Sequence, residues 1–133
     1  MFDYCYLFDG SNSITELQAW NTSSITSMKE TFRNCTVFNV DISGWNTSSV
    51  TNMQGMFKNA GYFRQKMDTW NTTEVTNMSQ MFRNTIANTG VWPAAPTSSF
   101  NTDISSWGNG SQHPFSSVAN VTDMSYMFEI AYN

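Results

Sequence analysis

The side chains of this chain that could do chemistry are few, and most recur at fixed places. The pattern Asn-x-Ser/Thr occurs seven times, at Asn21, Asn34, Asn46, Asn71, Asn77, Asn109 and Asn120. Each is an acceptor pattern for an N-glycan on a secreted protein. A chain rich in Asn, Ser and Thr also makes this pattern by composition alone. Asn21, Asn46 and Asn71 are evenly spaced, and stacked side by side they would suit a buried hydrogen-bonded ladder equally well. Glycans on each of them would crowd, so that column either points outward or is partly occupied. Asn109, in the stretch GNGS, is the pattern least suited to burial.

Other candidates are paired or columnar. Cys5 and Cys35 each stand three residues after a Phe. If those places are neighbours in space, their separation suits a disulfide and an oxidising compartment. Otherwise they are two buried thiols acting as small apolar residues. Arg33, Lys58 and Arg83 each directly follow a Phe, and Asp3 and Glu129 take the same place near the two ends. Stacked, the three cations form a stripe for an anion or an acidic glycan, or an electrostatic match between subunits. The plainer reading is a solvated face, where ion pairs contribute only about 0–1 kcal/mol each. Glu16, Asp41, Asp68 and Asp103 read as an acidic column. Calcium wants such oxygens, but no Asp-x-Asp-x-Asp-Gly loop is present, and bonding to turn N–H groups is the stronger expectation. His113 is the one histidine, with no second His or Cys beside it to make a metal site. A nucleophile needs a base in reach, and His113 is the one conventional base. Trp92, in TGVWPAAP, sits on an expected surface loop where it could stack on a sugar or a partner, or fold back as cover. No catalytic residue, no metal site and no cofactor is expected.

Composition narrows the classes further. The chain has 133 residues, net charge −4 and 12% charged residues. Phosphate recognition needs clustered Lys and Arg, so nucleic acid is not an expected partner. No apolar run reaches the roughly 20 residues of a membrane span. The first ten residues, MFDYCYLFDG, lack the basic start and long apolar stretch of a signal peptide. With 40% hydrophobic and 15% aromatic residues, the chain is not of disordered composition. Ser, Thr and Asn number 17, 16 and 15, so neutral hydrogen-bonding groups replace charge on its surface.

These columns need a repeat to position them, and one is present. Trp20, Trp45 and Trp70 stand 25 residues apart, and from each the chain follows one frame: WNTSSITSMKETF, WNTSSVTNMQGMF, WNTTEVTNMSQMF. A fourth copy opens at Trp107 and regains the frame at NVTDMSYMF. The expected organisation is one array over residues 1–133, with a partial coil at 1–19 and coils starting at 20, 45, 70 and 107. Insertions fall at about 85–97 and 108–117. Met53, Met56 and Phe57 are spaced i, i+3, i+4, one face of a short helix. Val50-Thr51 is β-prone. A 25-residue unit cannot bury its apolar residues alone, but stacked units can. A repeat solenoid is therefore expected, with one short parallel β-strand and a short helical or 3₁₀ turn per coil.

The stretch FNVDISGWNTSSVTNMQGMF (38–57) resembles the repeat of BspA-like surface proteins, the leucine-rich-repeat variant common in mycoplasma lipoproteins and protist surface proteins. That repeat runs roughly F-N-x-D-I-S-x-W-x-T-S-x-V-T-x-M-x-x-M-F, and the match covers nearly the whole chain outside the insertions. The resemblance implies a right-handed leucine-rich-repeat-like solenoid on a secreted or cell-surface protein, used for adhesion or structure. It carries over no catalytic residue. One departure is Asn at 21, 46 and 71, where the family often has Asp after the Trp.

Met1 occupies the repeat's own Met place, so the chain is expected to be a segment of something longer. The functional expectation is a non-enzymatic extracellular structural glycoprotein carrying covalent N-glycans, with bare ends that associate head to tail into fibres. The alternative is a cell-surface adhesin module that holds a protein or glycan through a repeat face or its inserted loops.

Overall fold

The computed structural model describes residues 15–67, 69–84, 118 and 120–129. Among these, units lie side by side in parallel register. Three isolated bridges, Ser27–Asn52, Asn52–Asn77 and Asn77–Asp123, mark the joints. The step is 25 residues from Thr26 to Thr51 and from Thr51 to Thr76, then 46 residues from Thr76 to Thr122.

The expected leucine-rich-repeat-like solenoid, with a parallel strand and a helical turn in each coil, is not what the chain forms. Among the described residues there is no strand and no sheet, and the one helix is the four-residue α1, Thr15–Gln18. The reason lies in where the N–H groups go. The N–H groups of Met28, Glu30, Phe32 and Asn34 donate to Asn52, Gln54, Met56 and Lys58 of the next unit, at 2.8–2.9 Å. The intervening N–H groups of Thr31, Arg33 and Cys35 close local turns onto residues three earlier. A strand would send its donors to two sides, and a helix would send all of them back along the chain. Here they alternate between a neighbour and a local turn, and neither regular element can propagate.

Left-handed residues enforce this alternation. Glu30, Gly55, Gln80 and Tyr126 have φ of 54–58°, and Asn34, Asn59 and Asn84 have φ of 54–61°. Each of the first four stands third in a turn closed by the following N–H, the place where a type II turn needs positive φ. Met53, Met56 and Phe57 therefore share the interior without being helical.

The core is columnar. Met28, Met53 and Met78 are buried in register, as are Phe32, Phe57 and Phe82. The Phe rings stack at 5.7 Å for Phe32–Phe57, 5.7 Å for Phe57–Phe82 and 5.6 Å for Phe82–Phe128. Phe38 and Phe63 lie against them at 3.9 and 4.0 Å. The Trp column adds a polar clamp. Trp45 Nε1 donates to Leu17 O, and Trp70 Nε1 to Ile42 O, each carbonyl also taking the N–H of the earlier unit's own Trp. One buried indole thus fills the core and satisfies a carbonyl across the joint.

Candidate functional site

Charged side chains gather in a ribbon built on the residues after each Phe. Arg33, Lys58 and Arg83 do lie in one column, because Phe32, Phe57 and Phe82 stack directly. They do not form a bare cationic stripe. Arg33 pairs with Glu30 at 3.1 Å, and Arg83 pairs with Glu129 at 2.6 Å. Lys58 Nζ donates to Gln80 Oε1 at 2.7 Å, and Arg83 Nη1 reaches the same oxygen at 3.3 Å. The guanidinium of Arg83 also lies over the Tyr126 ring, 5.9 Å from its centroid. Partial burial lowers the Lys58 pKa, and repulsion from Arg83 and Arg33 lowers it further. The ribbon is therefore a laced one, with Glu30 and Gln80 supplied by the left-handed column. The sequence frame placed the cations, but nothing in it marked Glu30 and Gln80 as their partners.

The Asn-x-Ser/Thr patterns fall into two structural roles. Asn21 Oδ1 accepts from the N–H and hydroxyl of Ser23, and Asn71 Oδ1 does the same for Thr73. Asn46 Oδ1 accepts from Ser48 N–H, and Asn77 Oδ1 from the N–H and hydroxyl of Ser79. In each, the hydroxyl residue of the pattern is the residue whose N–H the Asn side chain caps, an Asx turn. Asn21, Asn46 and Asn120 are exposed, and Asn71 and Asn77 are partly so. Asn120 Nδ2 donates to Thr73 O across the joint at 2.8 Å. Asn34 is different: it is buried and left-handed, and its Oδ1 accepts from Asn59 Nδ2 at 2.6 Å. The inward Asn ladder of this molecule is thus built on Asn34 and Asn59, not on Asn21, Asn46 and Asn71. Asn109 lies outside the described residues.

Thr22 and Thr47, one residue after the Asx-turn Asn, are buried and donate across the joint to Asn46 O and Asn71 O at 3.1 and 2.9 Å. Thr72 takes the same place, and its buried Oγ1 has no partner among the described residues.

The acidic column divides. Asp41 Oδ1 accepts from Ser43 N–H at 2.9 Å, and bonding from the Ser43 hydroxyl, then its N–H, lowers the Asp41 pKa. Asp123 is likewise lowered, by the N–H and then the hydroxyl of Ser125. Asp68 and Asp103 lie outside the described residues. Among those described, no three His, Cys, Asp or Glu side chains converge as a metal cage requires.

Cys35 is buried at the place Ala60 takes in the next unit, with its Sγ 3.8 Å from Arg33 O. Cys5, Trp92, His113 and Asp3 lie outside the described residues. No helix among the described residues is long and apolar enough to cross a membrane.

This geometry defines a tandem-repeat protein whose polar side chains serve the joints between its units. The chain belongs to the family described as "Mycoplasma protein of unknown function, DUF285", whose profile matches residues 1–133. No curated protein and no solved structure matches the chain.

Proposed function

We propose that this is a non-enzymatic surface repeat protein of the BspA-like kind, located outside the cell or on its surface, that works by end-to-end assembly. The observation that supports this is where the polar side chains spend their bonds. Thr22, Thr47, Trp45, Trp70, Asn59, Thr51 and Thr76 all bond across a joint to the neighbouring unit. Asp41 and Asp123 are engaged in turns, and Glu30, Arg33, Lys58, Arg83 and Glu129 in the ribbon. A chain that uses the same joint repeatedly is suited to using it once more between molecules.

Two covalent features belong to this reading. N-glycans would sit on the exposed Asn21, Asn46 and Asn120, and on Asn109, whereas Asn34 is buried in the ladder. A Cys5–Cys35 disulfide would tie the N-terminal segment to the first full unit. Thiol counting before and after reduction tests the disulfide, and intact mass tests the glycans.

Electron microscopy of the native protein tests the assembly. Units about 5 Å apart, four to five per molecule, predict filaments with an axial repeat of about 20–25 Å. Dispersed short particles would overturn assembly. The adhesin reading would then lead, to be tested by binding screens against the ribbon and the loop that carries Trp92.

A further inference from the structure

One joint of the ribbon brings together side chains that can react with each other. In register, the place after each stacked Phe pairs with the left-handed place of the next unit: Arg33 with Gly55, Lys58 with Gln80 and Arg83 with Tyr126. A guanidinium stays protonated and is no nucleophile, and neither Gly nor Tyr offers a side-chain carbonyl. In this column, only Lys58 and Gln80 set a primary amine against a carboxamide.

Their geometry suits attack of the amine on the amide. Lys58 Nζ lies 2.7 Å from Gln80 Oε1, and Arg83 Nη1 reaches the same oxygen at 3.3 Å. Two cations thus converge on one neutral carbonyl, while the carboxylates of the ribbon hold the arginines, Glu30 on Arg33 and Glu129 on Arg83. The backbone around the pair is fixed, since Phe57 N–H donates to Met81 O at 2.9 Å and Asn59 N–H to Arg83 O at 2.8 Å. Lys58 and Gln80 are themselves only partly buried, so the remaining gap closes by side-chain rotation. Partial burial, with Arg83 and Arg33 nearby, holds the Lys58 pKa below its ordinary value and raises the share of free amine.

We propose that Lys58 and Gln80 form an intramolecular amide cross-link between neighbouring units, with loss of ammonia. Lys58 Nζ first gives a proton to water, and the free amine then attacks Gln80 Cδ. Negative charge gathers on Gln80 Oε1, where the Arg83 Nη1–H already points, and this is how a fixed donor lowers such a barrier. The Nζ–Cδ bond forms, the Cδ–Nε2 bond breaks, and the departing nitrogen takes up protons and leaves as ammonium. No oxidant or other reactant is needed, because holding the two groups together replaces a second-order encounter. The ribbon loses one positive charge in the step, which relieves the repulsion on Lys58 from Arg33 and Arg83. The product ties two units covalently whether or not molecules assemble.

The test is mass spectrometry of a tryptic digest of the folded protein, after removal of any N-glycan. An amide at Lys58 blocks cleavage there, so the digest should hold a branched species joining residues 34–64 to residues 67–83, lighter than the two by one ammonia. Lys58→Arg should release the two peptides separately. Protein kept in denaturant should not form the link, and Arg83→Gln should form it about tenfold or more slower. Cleavage after Lys58 with no ammonia lost, even after the folded protein is held at mildly alkaline pH, would overturn the proposal. A branched species that survives Lys58→Arg, or one that joins Lys58 to another residue, would overturn the assignment to this pair. A link found between molecules and not within them would overturn its intramolecular origin, and an unchanged rate in Arg83→Gln would overturn the part given to Arg83.

Discussion

Phe57 is the most informative residue to remove. Its ring is fully buried and lies 5.7 Å from Phe32, 5.7 Å from Phe82, 4.0 Å from Phe63 and 6.2 Å from Trp70. Phe→Ala in a core costs about 3–5 kcal/mol through lost transfer and a residual cavity. Aromatic pairs add roughly 0.5–1.5 kcal/mol beyond burial, so Phe57→Ala belongs at the upper end, about 4–5 kcal/mol. Phe128 occupies the same column but is 46% exposed, so Phe128→Ala should cost about 1 kcal/mol. Against a typical domain stability of about 5–15 kcal/mol, the first change removes about a quarter or more and the second little. Thermal unfolding should show a fall of roughly 10–20 °C for Phe57→Ala and a few degrees for Phe128→Ala. Hydrogen exchange should then locate the loss at both flanking joints, at Phe32 N–H and at Phe57 N–H, which bond to Met56 O and Met81 O. If the two substitutions lowered the melting temperature equally, the Phe column would not be a continuous core and the reasoning would fail.

Other predictions follow from single contacts. Gly55 has φ +58°, and an added Cβ would meet Glu30 Cγ at 3.3 Å, so Gly55→Ala should cost about 1–2 kcal/mol by denaturant midpoint. Thr47→Val leaves Asn71 O without its donor and should cost about 1 kcal/mol, whereas Thr72→Val removes a buried hydroxyl with no described partner and should be neutral or stabilising. The pKa values of Asp41 and Asp123 both lie below the ordinary 3.8 in the folded chain. The unfolded chain therefore binds more protons in that window, so their stabilisation is full above 3.8 and is lost as pH falls through the folded values. Chemical denaturation of the double variant Asp41→Asn, Asp123→Asn should show a flatter acid limb than the native protein.

Much of the interior was legible from spacing alone. A Trp every 25 residues, followed by Met, Met and Phe at constant offsets, marks the residues that must be covered, and Met53, Met56, Phe57, Met67 and Trp70 are all buried. The column of Arg33, Lys58 and Arg83 was legible for the same reason, because one register carries every place in the unit along with it. The site around that column was less legible. Glu30 and Gln80 reach the cations because their backbone is left-handed, and in that column only Gly55 advertises positive φ. Glu, Gln and Tyr carry a Cβ that disfavours it. The Asn ladder was legible in kind but misplaced: Asn at 34, 59 and 84 tolerates left-handed backbone, and Asn34 and Asn59 bond to each other across the joint, while Asn21, Asn46 and Asn71 cap their own turns.

What the amino-acid sequence determined by itself is the period and the identity of the buried columns, since apolar residues at a constant interval can be covered only by their own repeats. What only the tertiary structure decided is the backbone between them. The i, i+3, i+4 spacing of Met53, Met56 and Phe57 fits a helix, and Val50-Thr51 fits a strand, yet neither forms among the described residues. Local propensity is worth tenths of a kcal/mol per residue. A neighbouring unit offering an acceptor to every second N–H satisfies a strong, obligatory group, and that offer exists only once the units lie side by side.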